Sequence, residues 1–324
     1  MSRRDFLLQS TLLSIAATLQ PLRAFAAASS DHLHTKEFSV ADFHAARRFV
    51  QIGASKVAYV EQGAGDTALF LHGYPLNGFQ WRGIMARLAT LRRCVAPDLL
   101  GLGYTDAPGD ADLSPRAQMA MVLAFMDKLG IGQADFVAND SSTGIAQLII
   151  AEHPERVRSL LATNGDVHTN SPPETLAPFL EKCRRNEAQA WFEQHLTDND
   201  FARSRDGIGN AYHAPERALT HDIIENYFRP LVSSPKRRQQ GQQYGLAMLP
   251  NPLPAIEPRL RQFGKPVRIV WARNNELFPD RWAHWLDQTF PGSRGIRFVD
   301  DAQLFFPEEN PDLIAAEARA LWQA

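Results

Sequence analysis

Apolar residues in this chain gather into short unbroken runs divided by polar stretches rich in glycine and proline, and the lengths of those runs predict the elements. Residues 48–52 and 56–60 alternate about Gly53, as two antiparallel strands joined by a turn would. Continuous apolar runs at 68–71, 93–96, 135–139, 157–162, 266–271 and 295–299 read as buried strands, the kind found in parallel sheets. Helical patterns separate several of them. One spans 81–89; another starts at Pro115 behind Ser114 as N-cap and stops at Gly130; a last one covers 311–322. Strands alternating with helices imply an α/β fold with a mostly parallel central sheet, right-handed crossovers and a ligand site beyond the carboxyl ends of the strands. From about 170 to 254 the alternation gives way to a helical, irregular reading rich in proline and aromatics. No internal repeat or low-complexity tract appears.

Composition and charge narrow the picture. The chain has 324 residues, 44% hydrophobic and 22% charged, with a formal net charge of −2. That suits one large globular domain or a domain with an insertion, and it gives no basic patch for nucleic acid. Lys236-Arg237-Arg238 reads as a solvated turn. The start stands apart: Ser2-Arg3-Arg4-Asp5-Phe6-Leu7-Leu8, an apolar stretch at 12–19, Pro21 and the small-residue site Ala24-Phe25-Ala26 read as a twin-arginine export signal over 1–26. The expectation is a protein handed to the twin-arginine export machinery and delivered to the periplasm or beyond. Its apolar part is too short to span a bilayer comfortably, so no stable membrane span is expected after processing. Cys94 and Cys183 have no spacing that pairs them, so two free or buried thiols are expected. No His, Cys or carboxylate grouping has metal-ligand spacing, and neither a metal nor a cofactor is expected.

The chemistry centres on Phe136-Val137-Ala138-Asn139-Asp140-Ser141-Ser142-Thr143-Gly144, running into the apolar 145–150. Strand, polar corner of small residues, helix: this is the pattern of a nucleophile elbow, in which a strained turn lifts one side chain clear of the sheet beside free backbone N–H groups. Asp140 and Ser142 both compete for the nucleophile position. An alternative reading gives Asp140 only the role of helix N-cap. Upstream, His72-Gly73-Tyr74-Pro75 follows a strand, and Pro97-Asp98-Leu99-Leu100-Gly101-Leu102-Gly103-Tyr104-Thr105-Asp106 follows another. Downstream, the elbow helix runs out in His153-Pro154-Glu155-Arg156-Val157.

Together these phrases resemble the α/β-hydrolase superfamily over nearly all the chain from about Arg48, and most closely its haloalkane dehalogenase and epoxide hydrolase branch. The resemblance places the nucleophile fourteen residues before Pro154, which favours Asp140. It implies a carboxylate that attacks carbon and forms an ester, a hole for the oxyanion or leaving group made by the N–H groups of Tyr74 and Ser141, and a helical cap at 170–254 over the site. The core would then comprise 27–169 and 255–324, and the substrate would be a small organic molecule with a carbon–halogen, epoxide or ester-type bond.

Two positions depart from the family pattern. Such a nucleophile needs a histidine to activate water and an acid to orient that histidine, but Leu304 stands at the histidine's place and Asn275 at the acid's. Asp166, at the end of the strand after the elbow helix, is the candidate replacement acid, and His168 just beyond it the candidate histidine. His72, Tyr212, Tyr227 and Tyr244 are the candidate substrate-binding residues, with two of the tyrosines expected to protonate an epoxide oxygen. The halide-binding tryptophan that often follows the nucleophile is replaced by Ser141. Three readings stay open: an aspartate-nucleophile hydrolase, a lyase, isomerase or cyclase on the same scaffold, and a binding protein that has lost catalysis.

Overall fold

The computed structural model describes residues 36–323, so the twin-arginine stretch lies outside the described residues. Eight strands form one sheet: β1 (Arg48–Ile52), β2 (Ser55–Gln62), β3 (Thr67–Leu71), β4 (Arg93–Pro97), β5 (Ala134–Asp140), β6 (Val157–Gly165), β7 (Val267–Ala272) and β8 (Ser293–Val299). Their order across the sheet is β1-β2-β4-β3-β5-β6-β7-β8. β1 pairs antiparallel with β2, and β2 with β4; every later pairing is parallel. This is the α/β-hydrolase fold, a mostly parallel sheet flanked by helices. β3 and β5 are buried along their whole length, because helices cover both faces.

Six helices lie before or soon after the first strands or close the chain: α1 (Val40–Ala46), α2 (Arg82–Leu88), α3 (Pro115–Lys128), α4 (Ser141–Glu152), and, at the far end, α12 (Asp280–Thr289) and α14 (Pro311–Trp322). Between β6 and β7 the chain leaves the sheet for α5 (Ala177–Arg184), α6 (Ala188–Thr197), α7 (Asn199–Arg203), α8 (Pro215–Ala218), α9 (His221–Val232), α10 (Pro235–Leu246) and α11 (Glu257–Leu260). A short α13 (Phe306–Glu309) follows β8. Helix α1 falls in a stretch that reads as polar lead. Ser39 caps it by accepting from the Asp42 N–H at 3.1 Å, and Phe43 is its one buried residue, edge-on to Phe79. A single apolar anchor leaves no period to detect.

Cys94 and Cys183 are both buried free thiols. No helix of the described residues is long and apolar enough to cross a membrane.

Candidate active site

The central strand β5 delivers Asp140 to its carboxyl end, and α4 starts at the next residue. Asp140 has φ 58° and ψ −132°, a conformation that costs a non-glycine residue ~1–3 kcal/mol and is held only where its surroundings insist on it. Those surroundings are close: a Cβ on Gly73 would lie 2.7 Å from the Asp140 Cβ, and one on Gly165 would lie 2.3 Å from the Asp140 carbonyl oxygen. The side chain makes no helix-capping bond. Instead the Tyr74 N–H donates to its Oδ2 at 2.7 Å, and the Ser141 N–H also donates to the carboxylate. Ser142, the other candidate at the elbow, is spent locally: its Oγ donates toward the Leu71 and Asn139 carbonyls at 2.7 and 2.8 Å and accepts from the Asn139 N–H at 3.1 Å.

Above the elbow lies a cavity of about 410 Å³. Asp140 and Asp166 both line it, with Tyr74 and Phe305 beside them and Phe179, Trp191 and Ile208 from the segment between β6 and β7. Burial raises the Asp140 carboxyl to about 7, against the pull of its two N–H donors. Asp166 is buried more deeply, at 3% exposure against 9%, and burial together with the Asp140 charge holds its carboxyl well above the ordinary range. Ser171 Oγ donates to Asp166 Oδ2 at 2.9 Å. Two carboxyls facing one cavity ionise as a pair, and near neutrality the pair keeps a proton. Asp166, with one hydroxyl donor where Asp140 has two amides, is the member that holds it.

The structure thus brings Asp140, Asp166, Tyr74 and Ser141 together, and it corrects the placement of five others. His168, with φ 47°, turns its Nε2 to Glu257 at 3.2 Å and lays its ring against Trp285; it does not line the cavity. His72 is buried under the loop: its Nε2 accepts from the Leu99 N–H at 3.0 Å, so Nδ1 carries the proton and donates to the Gly73 carbonyl at 2.9 Å. That bracing leaves it nothing for a substrate. Tyr212 and Tyr227 donate to Glu308 Oε2 and Oε1 at 2.8 and 2.9 Å, and Tyr244 pairs with Ser141 Oγ at 3.1 Å while stacking on Tyr74 with ring centroids 5.0 Å apart. None of the three tyrosines lines the cavity. Their hydroxyls needed polar partners once buried, and found them in the protein.

Leu304 does line the cavity, and its backbone is held to the elbow strand: Asn139 Nδ2 donates to the Leu304 carbonyl at 3.0 Å. Asn275 holds a turn, its Oδ1 accepting from the N–H groups of Leu277 and Phe278 at 3.1 and 3.0 Å. No described histidine lines the cavity.

Sequence reasoning missed Glu308. Its carboxylate is nearly sealed from solvent, pairs with the Arg82 guanidinium and accepts from Tyr212 and Tyr227. Glu309 accepts from the N–H groups of His213 and Ala214 at 2.9 and 2.8 Å, and the Phe305 N–H donates to the Ala211 carbonyl at 2.8 Å. The loop carrying Leu304 is therefore tied to the roof of the cavity. The signal available was the phrase Phe305-Phe306-Pro307-Glu308, in which an acid follows an apolar run that buries.

Known proteins share this fold. A sequence profile of the alpha/beta hydrolase fold matches residues 68–310. Haloalkane dehalogenase 2 of Mycobacterium bovis is 25% identical over 279 residues, which cover 83% of this chain and 92% of that protein. The 2-hydroxymuconate semialdehyde hydrolase of Pseudomonas sp. strain CF600 is 38% identical over 229 residues, covering 68% of this chain and 74% of the relative. The crystal structure of haloalkane dehalogenase DbeA from Bradyrhizobium elkani superposes with a TM-score of 0.68 at 23% identity, over 85% of this chain and 96% of that one, a likeness of fold.

Proposed function

Since the chain belongs to the α/β-hydrolase fold family, we propose that Asp140 is its nucleophile and that it attacks an electrophilic carbon of a small organic substrate held in the cavity. The observation that carries this is the Asp140 carboxylate itself, fixed on one oxygen by the Tyr74 N–H and presented to a cavity lined by both apolar and polar side chains. With Oδ2 fixed, the other oxygen is free to bond carbon, and Oδ2 becomes the carbonyl oxygen of the resulting ester. The same two amides then face the oxyanion that forms when water adds to that ester. Halogenated, epoxide and ester-type substrates all offer such a carbon, and the haloalkane dehalogenases among the relatives are named for the first of these.

A single turnover in ¹⁸O-water tests the assignment. The expected result is label in the Asp140 carboxyl and unlabelled product, because water attacks the ester and not the substrate; label in the product alone would mean that Asp140 is not the nucleophile. Only the ionised carboxylate attacks. With Asp140 raised to about 7, covalent labelling should accelerate as pH rises through about 7 and level off above it. A rate flat from pH 5 to 9 contradicts this.

The twin-arginine pattern at Arg3-Arg4 supports export, and with it encounter with substrate outside the cytoplasm. Replacing both arginines by lysine should leave the protein in the cytoplasmic fraction on cell fractionation. Unchanged export would remove this part of the proposal.

A further inference from the structure

An aspartate nucleophile leaves proton transfers for some other group to perform, and this inference rests on Asp140 acting in that way. The side chains expected to carry those protons are engaged elsewhere. Tyr212 and Tyr227 are bonded to Glu308, Tyr244 to Ser141 and His168 to Glu257, while Leu304 has no proton to move. Within the cavity Tyr74 donates its phenol proton to the Gly241 carbonyl at 2.8 Å, and Lys182, Arg205, Asp206 and Glu276 are exposed side chains of the lining. Asp166 remains. It lines the same cavity as Asp140, its backbone N–H bonds the Asp140 carbonyl at 3.2 Å, and a Cβ on Gly144 at the head of α4 would lie 3.1 Å from its Cβ. Among the described residues Ser171 is the one group bonded to its carboxyl, at Oδ2, so Oδ1 is uncommitted.

We infer that Asp166 performs the proton transfers alone, giving a proton to a departing oxygen, taking one from the water that frees Asp140 and passing it to the alcohol released. With an epoxide the steps balance. Asp140 as carboxylate bonds the ring carbon, the ring C–O bond breaks, and the ring oxygen takes the proton of Asp166, leaving a hydroxyalkyl ester and the Asp166 carboxylate. That carboxylate takes a proton from water as the hydroxide oxygen bonds the ester carbonyl carbon. The tetrahedral oxyanion sits against the Tyr74 and Ser141 amides. On its collapse the ester C–O bond breaks, the diol oxygen recovers the proton from Asp166, and Asp140 is left as the acid. The pair ends with the one proton it began with, carried by the other member. Acid first and base second is a cycle that carboxyl pairs run in retaining glycosidases.

The cycle selects a substrate class: a carbon bearing an oxygen leaving group that must be protonated, which a halide need not be. Burial, the Asp140 carboxylate and the Ser171 hydroxyl set the charge of Asp166, and the neutral phenol of Tyr244 on α10 faces both carboxyls. The Asp140 charge favours the protonated form that the first step needs, and esterification removes that charge before the second.

The test uses the purified full chain, 1,2-epoxyhexane and 1-bromohexane, followed by intact mass and product analysis. Asp166→Asn should slow epoxide opening by ~10²-fold or more, leave alkylation of Asp140 by the bromide within a few-fold of wild type, and let the hexyl ester accumulate. Ser171→Ala removes a donor that favours ionised Asp166, so the pH profile of ester release should move upward. Epoxide opening by Asp166→Asn at the wild-type rate, release of its hexyl ester at the wild-type rate, or an unmoved Ser171→Ala profile would each overturn the role of Asp166 and leave Asp140 standing. If neither wild-type protein nor Asp166→Asn gains mass on Asp140 from either reagent, the nucleophile is overturned and this inference with it.

Discussion

Asp140→Asn should abolish covalent chemistry and, at the same time, make the protein more stable above neutrality. A carboxamide oxygen is a poor nucleophile toward carbon, so turnover should fall on the order of 10⁴-fold or more, the scale seen when a nucleophile is removed from an otherwise intact site. The stability gain has a definite sign. Burial raises the folded-state carboxyl to about 7, above its unfolded value, so the folded state binds a proton that the unfolded chain has already lost. Stability conferred by the protonated form is therefore complete below the unfolded value and is lost as pH rises toward about 7. A shift of three units at ~1.4 kcal/mol each sets a ceiling of ~4 kcal/mol on what Asn can recover. Urea unfolding of the two proteins at pH 5 and pH 8 checks it: the difference should already be present at pH 5, which lies above the unfolded value, and widen toward pH 8. Equal stability at both would mean that Asp140 is not held in a desolvating site.

Glu308→Ala should strongly destabilise the fold although it lies away from the elbow. It removes the partner of the buried Arg82 guanidinium and strands the hydroxyls of Tyr212 and Tyr227. Breaking a buried pair by deleting one member costs ~3–5 kcal/mol, since the remaining charge has lost its counter-ion and stays out of water. Glu37 reaches Arg82 at 3.4 Å from an exposed position and offsets only part of that loss. The Arg82→Leu, Glu308→Leu double variant should recover the part of the deficit that comes from the buried charge, while the Tyr212 and Tyr227 hydroxyls stay without their acceptor. A urea midpoint for Glu308→Ala close to wild type would show that the network contributes little.

The elbow was legible in the sequence because its constraints are local: a fully buried strand, a corner of small side chains and a helix of apolar residues fix where Asp140 must stand. Tyr74 was legible through its backbone, whose N–H direction follows from the loop. Side chains in irregular segments were not. Nothing in the spacing of Tyr212, Tyr227 and Tyr244 says which way each ring points, and the structure turns all three hydroxyls toward protein groups. His168 was misplaced for a similar reason, since a left-handed residue just past a strand reverses the side chain's direction. The absence of a histidine was visible at Leu304, but its consequence needed the cavity: only there do Asp140 and Asp166 share one lining.

Tyr74 is fastened at both ends. Its N–H holds the Asp140 carboxylate at 2.7 Å, while its phenol is anchored to the Gly241 carbonyl on α10 at 2.8 Å and its ring lies flat on Tyr244 of the same helix. The donor that tempers the basicity of Asp140 is thus tied through its own side chain to α10, a helix that contributes no residue to the cavity lining. Reactivity in this protein is therefore set partly by packing behind the cavity wall, so a substitution on α10 that touches no substrate should still change how fast Asp140 reacts.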